Sequence, residues 1–278
     1  MRIGAHVPPA DPAAAAAERG ATVVQIFLSS PRQWAAPQLR SDAWVAGVAE
    51  LPLYVHAPYL VNLASADPAV RERSTSLLQA TLDEATRIGA LGVVVHAGQG
   101  GVDATTEQAL TRFLDAATQL SSPTPLLVEN TCTGQVSLGR DVAVWEELFA
   151  RLAASAPDVP VGACLDTCHL WAGPDWEEPT DTDVAALAAR FVAPADLGLL
   201  HVNDSHVPAG GGQDRHANLA EGTIPASHLN AMVAAAADRG WTDAVIETPG
   251  DAAAHAADLR WLTAHVPTLA AGTADRED

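Results

Sequence analysis

The sequence predicts an α/β protein, a single closed (β/α)8 barrel of the TIM type, on three observations. Short β-rich runs alternate with alanine-rich stretches of helical period along the whole chain. Eight such runs occur, nearly all followed by a helical stretch, which is the pattern of a parallel sheet closed on itself. The length of 278 residues suits one barrel with modest loops, and no linker interrupts the alternation. A doubly wound open sheet is the structural alternative.

The first strand, 2–7, leads into a helix over 11–19 that Gly20 closes, a residue free to take the left-handed conformation of a helix C-terminus. A second strand, 22–28, and a third, 53–56, precede a long helix over 71–88 that Gly89 ends. The fourth strand, 92–96, is followed by a helix over 107–120, and Ser121 to Pro125 form the loop into the fifth strand, 126–129. Then come a helix over 142–154, strand 161–166, helix 181–190, strand 198–202, helix 225–239 closed by Gly240, strand 244–247 and helix 252–265. In each helix the apolar residues recur at 3.6-residue spacing. One domain over 1–270 is expected, with a disordered acidic tail over 271–278.

Hydrophobic residues make up 48% of the chain, but charges or prolines break every run before the ~20 residues of a membrane helix, so no membrane partner is expected. The first residues lack the long apolar segment of a secretory signal, which points to the cytoplasm. Three cysteines, Cys132, Cys164 and Cys168, suit neither a disulfide framework nor paired zinc clips and read as buried thiols. The net charge of −19 is opposite to the usual footprint of a phosphate-binding protein.

Strands three to eight finish at or beside His56, His96, Glu129, Asp166, His201 and Glu247. In a (β/α)8 barrel all strand C-termini meet on one face, so these residues, remote in sequence, converge there. His169, Asp214 and His216 lie on the loops that follow, the last two in a D-x-H spacing that an extended backbone points one way. The nine groups are five imidazoles and four carboxylates without an obligatory thiolate, a donor set for zinc or manganese and enough for more than one ion. Four carboxylates opposite three divalent ions would leave the face net positive, which answers the overall acidity. His6 also ends a strand and reads as a core histidine or a support for the ligands; His206, His228, His255 and His265 read as solvated.

At these residues the sequence resembles the endonuclease IV family of abasic-site endonucleases. The resemblance rests on Ile3-Gly4-Ala5-His6-Val7, Pro31-Arg32-Gln33-Trp34, the run His56-Ala57-Pro58-Tyr59-Leu60-Val61-Asn62-Leu63, Val128-Glu129-Asn130-Thr131, Leu165-Asp166-Thr167-Cys168-His169, His201-Val202-Asn203-Asp204, Asp214-Arg215-His216 and Ile246-Glu247-Thr248. It implies three zinc ions, with manganese possible at one. The first would be held by His56, His96 and Glu129, the second by Glu129, Asp166, His201 and Glu247, and the third by His169, Asp214 and His216. Glu129 would bridge the first two ions and Glu247 would orient or deprotonate water, giving Glu129 and Glu247 catalytic roles. Arg32, Gln33, Trp34 and Tyr59 map onto the family's DNA-binding loops, where an aromatic ring and a planar guanidinium suit a kinked duplex. The chain departs from the family at Ala97, where proline is usual, and at Cys132-Thr133-Gly134-Gln135, where an alanine runs directly into glycine and glutamine. Both changes leave the ligands intact.

The activity so implied is hydrolysis of the phosphodiester 5′ to an abasic site in double-stranded DNA, leaving a 3′-hydroxyl, by a monomeric base-excision-repair enzyme. The alternative is a metal-dependent sugar isomerase or epimerase on the same barrel, for which the third ligand set has no obvious use. A zinc-stabilised binding module is disfavoured, since structural zinc sites are closed and rich in cysteine.

Overall fold

A computed structural model describes residues 1–174, 176 and 179–267. The expected tail over 271–278 lies outside the described residues. Eight parallel strands close into a barrel in the order β1-β10-β7-β6-β5-β4-β3-β2, which excludes the open-sheet alternative. They are β1 (Arg2–His6), β2 (Val23–Phe27), β3 (Leu53–His56), β4 (Gly92–His96), β5 (Leu126–Glu129), β6 (Val161–Asp166), β7 (Gly198–His201) and β10 (Asp243–Ile246). Beyond the expected barrel, β8 (Asp204–Ser205) and β9 (His216–Ala217) form a small antiparallel pair in the loop after β7.

The helices are α1 (Pro12–Arg19), α2 (Asp42–Val48), α3 (Pro68–Arg87), α4 (Thr106–Ala117), α5 (Val142–Ser155), α6 (Thr167–Ala172), α7 (Asp181–Val192), α8 (Ala226–Asp238) and α9 (Ala252–His265). Helix α3 begins three residues before the sequence expectation, because the Asp67 carboxylate accepts from Ala69 N and Pro68 takes the first helical position, where its missing N–H costs nothing. Gly20 closes α1 at φ 69°, and Gly89 and Gly240 are left-handed too, as their positions implied. Helices α2 and α6 carry no signal in the apolar periodicity; each is short and is started by one capping side chain, Ser41 and Asp166.

Two buried apolar layers result. The larger lies between the barrel wall and the helices, with Trp145, Phe113 and Phe191 among its fully buried side chains. The smaller fills the barrel itself with Val23, Tyr54, Val94, Leu127, Cys164, Leu199 and Val245. Below it, Arg2 and Tyr54 both reach the buried carboxylate of Asp243, and the Trp241 indole occupies the place a Cβ at Gly198 would take.

Candidate metal centre

Side chains along a strand alternate in direction every residue, so the residue two beyond an interior one also points inside. Each of the seven members of the inner layer is followed at that offset by a polar residue: Gln25, His56, His96, Glu129, Asp166, His201 and Glu247. The core of the barrel thus carries a polar ring directly above it, at the strand C-termini.

Three donor groups form there, each with its ligand atoms within 4.8 Å of one another: His56, His96 and Glu129; Glu129, Asp166, His201 and Glu247; and His169, Asp214 and His216. In the first, Glu129 Oε2 lies 3.1 Å from His56 Nε2 and 3.3 Å from His96 Nε2. Its other oxygen, Oε1, lies 3.1 Å from His201 Nδ1, which is 3.3 Å from Glu247 Oε2. Glu129 therefore faces two groups with different oxygens, the geometry of a bridging carboxylate. In the third group Asp214 stands 3.3 Å from His169 Nε2 and 3.2 Å from His216 Nε2. Asp166 Oδ2 lies 3.9 Å from His201 Nδ1 and 3.5 Å from His216 Nε2, which joins the third group to the second.

His56, His169 and His201 are held so that one nitrogen is committed to protein and the other faces the cluster, the usual arrangement behind a metal. His56 Nδ1 meets the Ala57 carbonyl at 2.6 Å and His169 Nδ1 meets the Asn130 carbonyl at 2.9 Å, so both present Nε2. His201 is turned the other way: its Nε2 meets Gln25 Oε1 at 2.9 Å, so Nδ1 faces the carboxylates.

Two buried asparagines fix the backbone around the ligands, and the sequence reading gave them no role. Asn130 Oδ1 accepts from Asp166 N at 2.6 Å and its amide donates back to the Asp166 carbonyl. Asn203 donates to Asp166 Oδ2 at 2.7 Å and accepts from Glu247 N at 2.7 Å, so one amide ties the ends of β6, β7 and β10. A buried polar residue one or two positions past a candidate ligand at a strand end was the available signal.

The donors fit divalent cations. No arginine side chain reaches Glu129, Asp166 or Glu247 among the described residues, and four carboxylates this close repel unless cations sit between them. His216 Nε2 is buried and has no hydrogen-bond partner, an orphan that a metal ion would satisfy. Burial works to keep Glu129 neutral, but His201, His96 and His56 outweigh it and hold the carboxyl well below the usual range. Asp214 is held down to about 2, the histidines His169, His216 and His96 overcoming its burial. Cys164 and Cys168 also lie within reach of the second and third groups, yet burial pushes both thiols up to about 12. They are protonated at neutral pH, so nitrogen and oxygen are the natural donors.

His169, expected on a loop, starts from the first turn of α6, because the Asp166 carboxylate accepts from His169 N at 2.8 Å and caps that helix. Two histidines read as solvated are buried. His228 pairs with Asp181 at 3.0 Å against the Trp171 ring, and His255 lies between Arg19 and the Thr248 carbonyl. Their helices turn these positions inward, and polar partners offset the burial. His6 Nδ1 lies 3.3 Å from Glu247 Oε1.

Arg32 and Gln33 are exposed on the loop after β2. Trp34 is half-buried against the core with the Arg73 guanidinium 4.6 Å over its ring. Tyr59 is 47% exposed, its ring stacked near His96 with centroids 5.8 Å apart. Tyr59 N donates to the Pro31 carbonyl at 2.9 Å, which pins the loops after β2 and β3 together beside the cluster. A cavity of about 90 Å³ opens there, lined by Tyr59, Asn62, His96, Gln99, Thr131 and Thr133.

A family model described as xylose isomerase-like TIM barrel matches residues 13–265. The chain is 44% identical over 236 residues to a probable endonuclease 4 of Mycobacterium ulcerans (strain Agy99), covering 85% of this chain and 90% of the relative. Among solved structures it is similar to endonuclease IV from Thermus thermophilus, at 31% identity and a TM-score of 0.77, covering 96% of this chain and 99% of that one. An L-ribulose 3-epimerase shares the fold, at 17% identity and a TM-score of 0.70 over 100% of this chain and 99% of that one. The ring of histidines and carboxylates stands at the mouth of a barrel whose sequence aligns with these endonucleases over most of its length, and the chain belongs to the endonuclease IV family of xylose isomerase-like TIM barrels.

Proposed function

We propose that this protein is a zinc-dependent phosphodiesterase that cuts double-stranded DNA 5′ to abasic sites and leaves a 3′-hydroxyl, in base excision repair. The observation that carries the proposal is the third donor group, His169, Asp214 and His216, joined to the bridged pair through Asp166. An epimerase on this barrel has no obvious use for that group. The reading comprises three zinc ions, with manganese able to replace one, and a monomer acting in the cytoplasm through one domain over 1–270.

Bound zinc supplies Lewis-acid chemistry, lowering the pKa of water towards ~7 and neutralising phosphate charge. The protein supplies the frame. Glu129, Asp166 and His201 form a floor without solvent exposure, while His96, His216, Asp214 and Glu247 form the partly exposed edge that an incoming phosphate meets. Glu247 accepts from Gln25 Nε2 through Oε1, at 2.6 Å, which leaves Oε2 as the oxygen that would meet a metal and orient water beside it. Its carboxyl is held well below the usual range because His201, His6 and His56 overcome burial, so it is ionised at neutral pH. Glu129 fixes the spacing of the first two groups. Tyr59 and Arg32, on the two pinned loops, face the strand, with Gln33 beside them and Trp34 anchoring the loop against Arg73. An abasic sugar, which costs least to extrude from the stack, enters beside His96.

The test is a duplex carrying a single tetrahydrofuran abasic analogue. The zinc-loaded protein should nick it 5′ to the analogue and leave an intact duplex whole, and Glu129→Ala should nick neither. Equal cutting of both duplexes would remove the specificity.

A further inference from the structure

Strand β2 contributes no ligand to the three groups, yet its Gln25 lies fully buried in the same ring. The amide has two donors and one oxygen, and the surroundings assign each. Glu247 Oε1, a carboxylate oxygen that only accepts, lies 2.6 Å from Gln25 Nε2, so the nitrogen points that way. The same nitrogen lies 3.0 Å from His6 Nδ1, which takes the second hydrogen. Gln25 Oε1 then lies 2.9 Å from His201 Nε2, which must carry the hydrogen. Among the described residues, no other amide in the ring touches two candidate ligands through their side chains alone.

We infer that Gln25 is a positioning residue that sets how the second group presents itself to a metal. Held by Gln25, Glu247 offers one oxygen, Oε2, in place of both. His201 offers Nδ1 because its Nε2–H is spent on the amide. His6 backs the amide from β1 and keeps it from rotating. This inference rests on the proposed metal chemistry and specifies the residue through which this chain shapes the second site.

The test compares Gln25→Met, which keeps length and removes both hydrogen-bonding functions, with Gln25→Glu, which keeps the acceptor and loses the donors. Two readouts do not involve catalysis. Long-range ¹H–¹⁵N correlation spectra of chelator-treated protein, recorded at a pH above the raised pKa of His201 so that the ring is neutral, report its tautomer: the Nε2–H form is expected in the native protein, and a mixture or the Nδ1–H form in Gln25→Met. Zinc titration against a competing chelator should show one ion weakened about 10- to 100-fold in Gln25→Met, the range seen when a partner behind a metal ligand is removed, with the other ions unchanged. Gln25→Glu keeps the His201 acceptor, so it should restore the tautomer; it places a second carboxylate against Glu247, so it should not restore the native arrangement there. If Gln25→Met unfolds, Gln25→Glu decides through its zinc titration, in which the second carboxylate against Glu247 should change the affinity of one ion, and unchanged affinities overturn the inference. An unchanged tautomer together with unchanged zinc affinities in Gln25→Met overturns the inference. Native protein that shows the Gln25 dependence but leaves abasic DNA uncut overturns the functional proposal and leaves this one standing.

Discussion

At the scale of single residues, the site is a balance between histidines that gain protons and carboxylates that lose them. Burial lowers the affinity of His169 and His201 for protons, but neighbouring acidic groups outweigh it. For His169 these are Asp166, Asp214 and Glu129; for His201 they are Glu247 and Glu129. Both pKa values stand well above the ordinary 6.5. A raised histidine contributes stability that is complete below its unfolded value and lost as pH rises through the folded one. The lowered carboxylates Glu129, Glu247 and Asp214 contribute stability complete above their unfolded values and lost as pH falls through the folded ones. Both contributions are whole only between about pH 4.5 and 6.5. Protein stripped with a chelator should therefore show its highest Tm in that window, and zinc should raise Tm more at pH 8 than at pH 6, because metal replaces protons between the carboxylates. A zinc increment independent of pH would speak against ligation by these histidines. The nine candidate ligands were legible in the sequence because each falls at or just beyond a strand end or in a short polar motif. Gln25, Asn130 and Asn203 were not, since amides carry no charge to draw attention; only the two-residue offset from an apolar layer, visible once the strands are aligned, singles out Gln25.

At the scale of elements, strands were read better than helices. A buried strand is a continuous apolar run, and β3 to β6 begin and end where those runs do. Helix starts depend on one capping side chain, so α3 begins at Pro68, and the short α2 and α6 have no periodicity to display. The closed end of the barrel depends on a close approach that the sequence does not reveal. A Cβ at Gly198 would lie 1.9 Å from the Trp241 indole, whose Nε1 donates to the Ala195 carbonyl at 3.2 Å. Gly198→Ala must push that ring off its partner, an overpacking that costs roughly 1–3 kcal/mol. A urea titration should show the unfolding free energy fall by that amount with metal content per chain unchanged, since the donor ring stands at the other end of the strands. An unaltered midpoint would mean that the indole is free to move.

Taken whole, the molecule is acidic, with net charge −19, and it contains arginine but no lysine. On the outer helices and the lower loops Arg87, Arg151, Arg190 and Arg239 are ion-paired with carboxylates. Arg32, Arg73 and Arg215, exposed on the loops at the mouth and the start of α3, have no carboxylate partner among the described residues. Three guanidinium groups thus stand at the mouth beside the proposed DNA path, where they would meet a phosphate-rich substrate within an otherwise acidic protein. The absence of lysine has a chemical consequence. An abasic site opens to an aldehyde that a lysine amine captures as an imine, whereas a guanidinium stays protonated and cannot. Borohydride added during cleavage of a natural abasic duplex should therefore trap no protein–DNA adduct while nicking proceeds. An adduct band would show that an amine reaches the sugar.

The centre itself is tested most directly by anomalous diffraction at the zinc edge from crystals of protein loaded with zinc. Three peaks should appear together at the C-terminal mouth, one between His56, His96 and Glu129, one between Glu129, Asp166, His201 and Glu247, and one between His169, Asp214 and His216. A single peak, or peaks away from Glu129, would contradict a bridged cluster and the phosphodiesterase built on it.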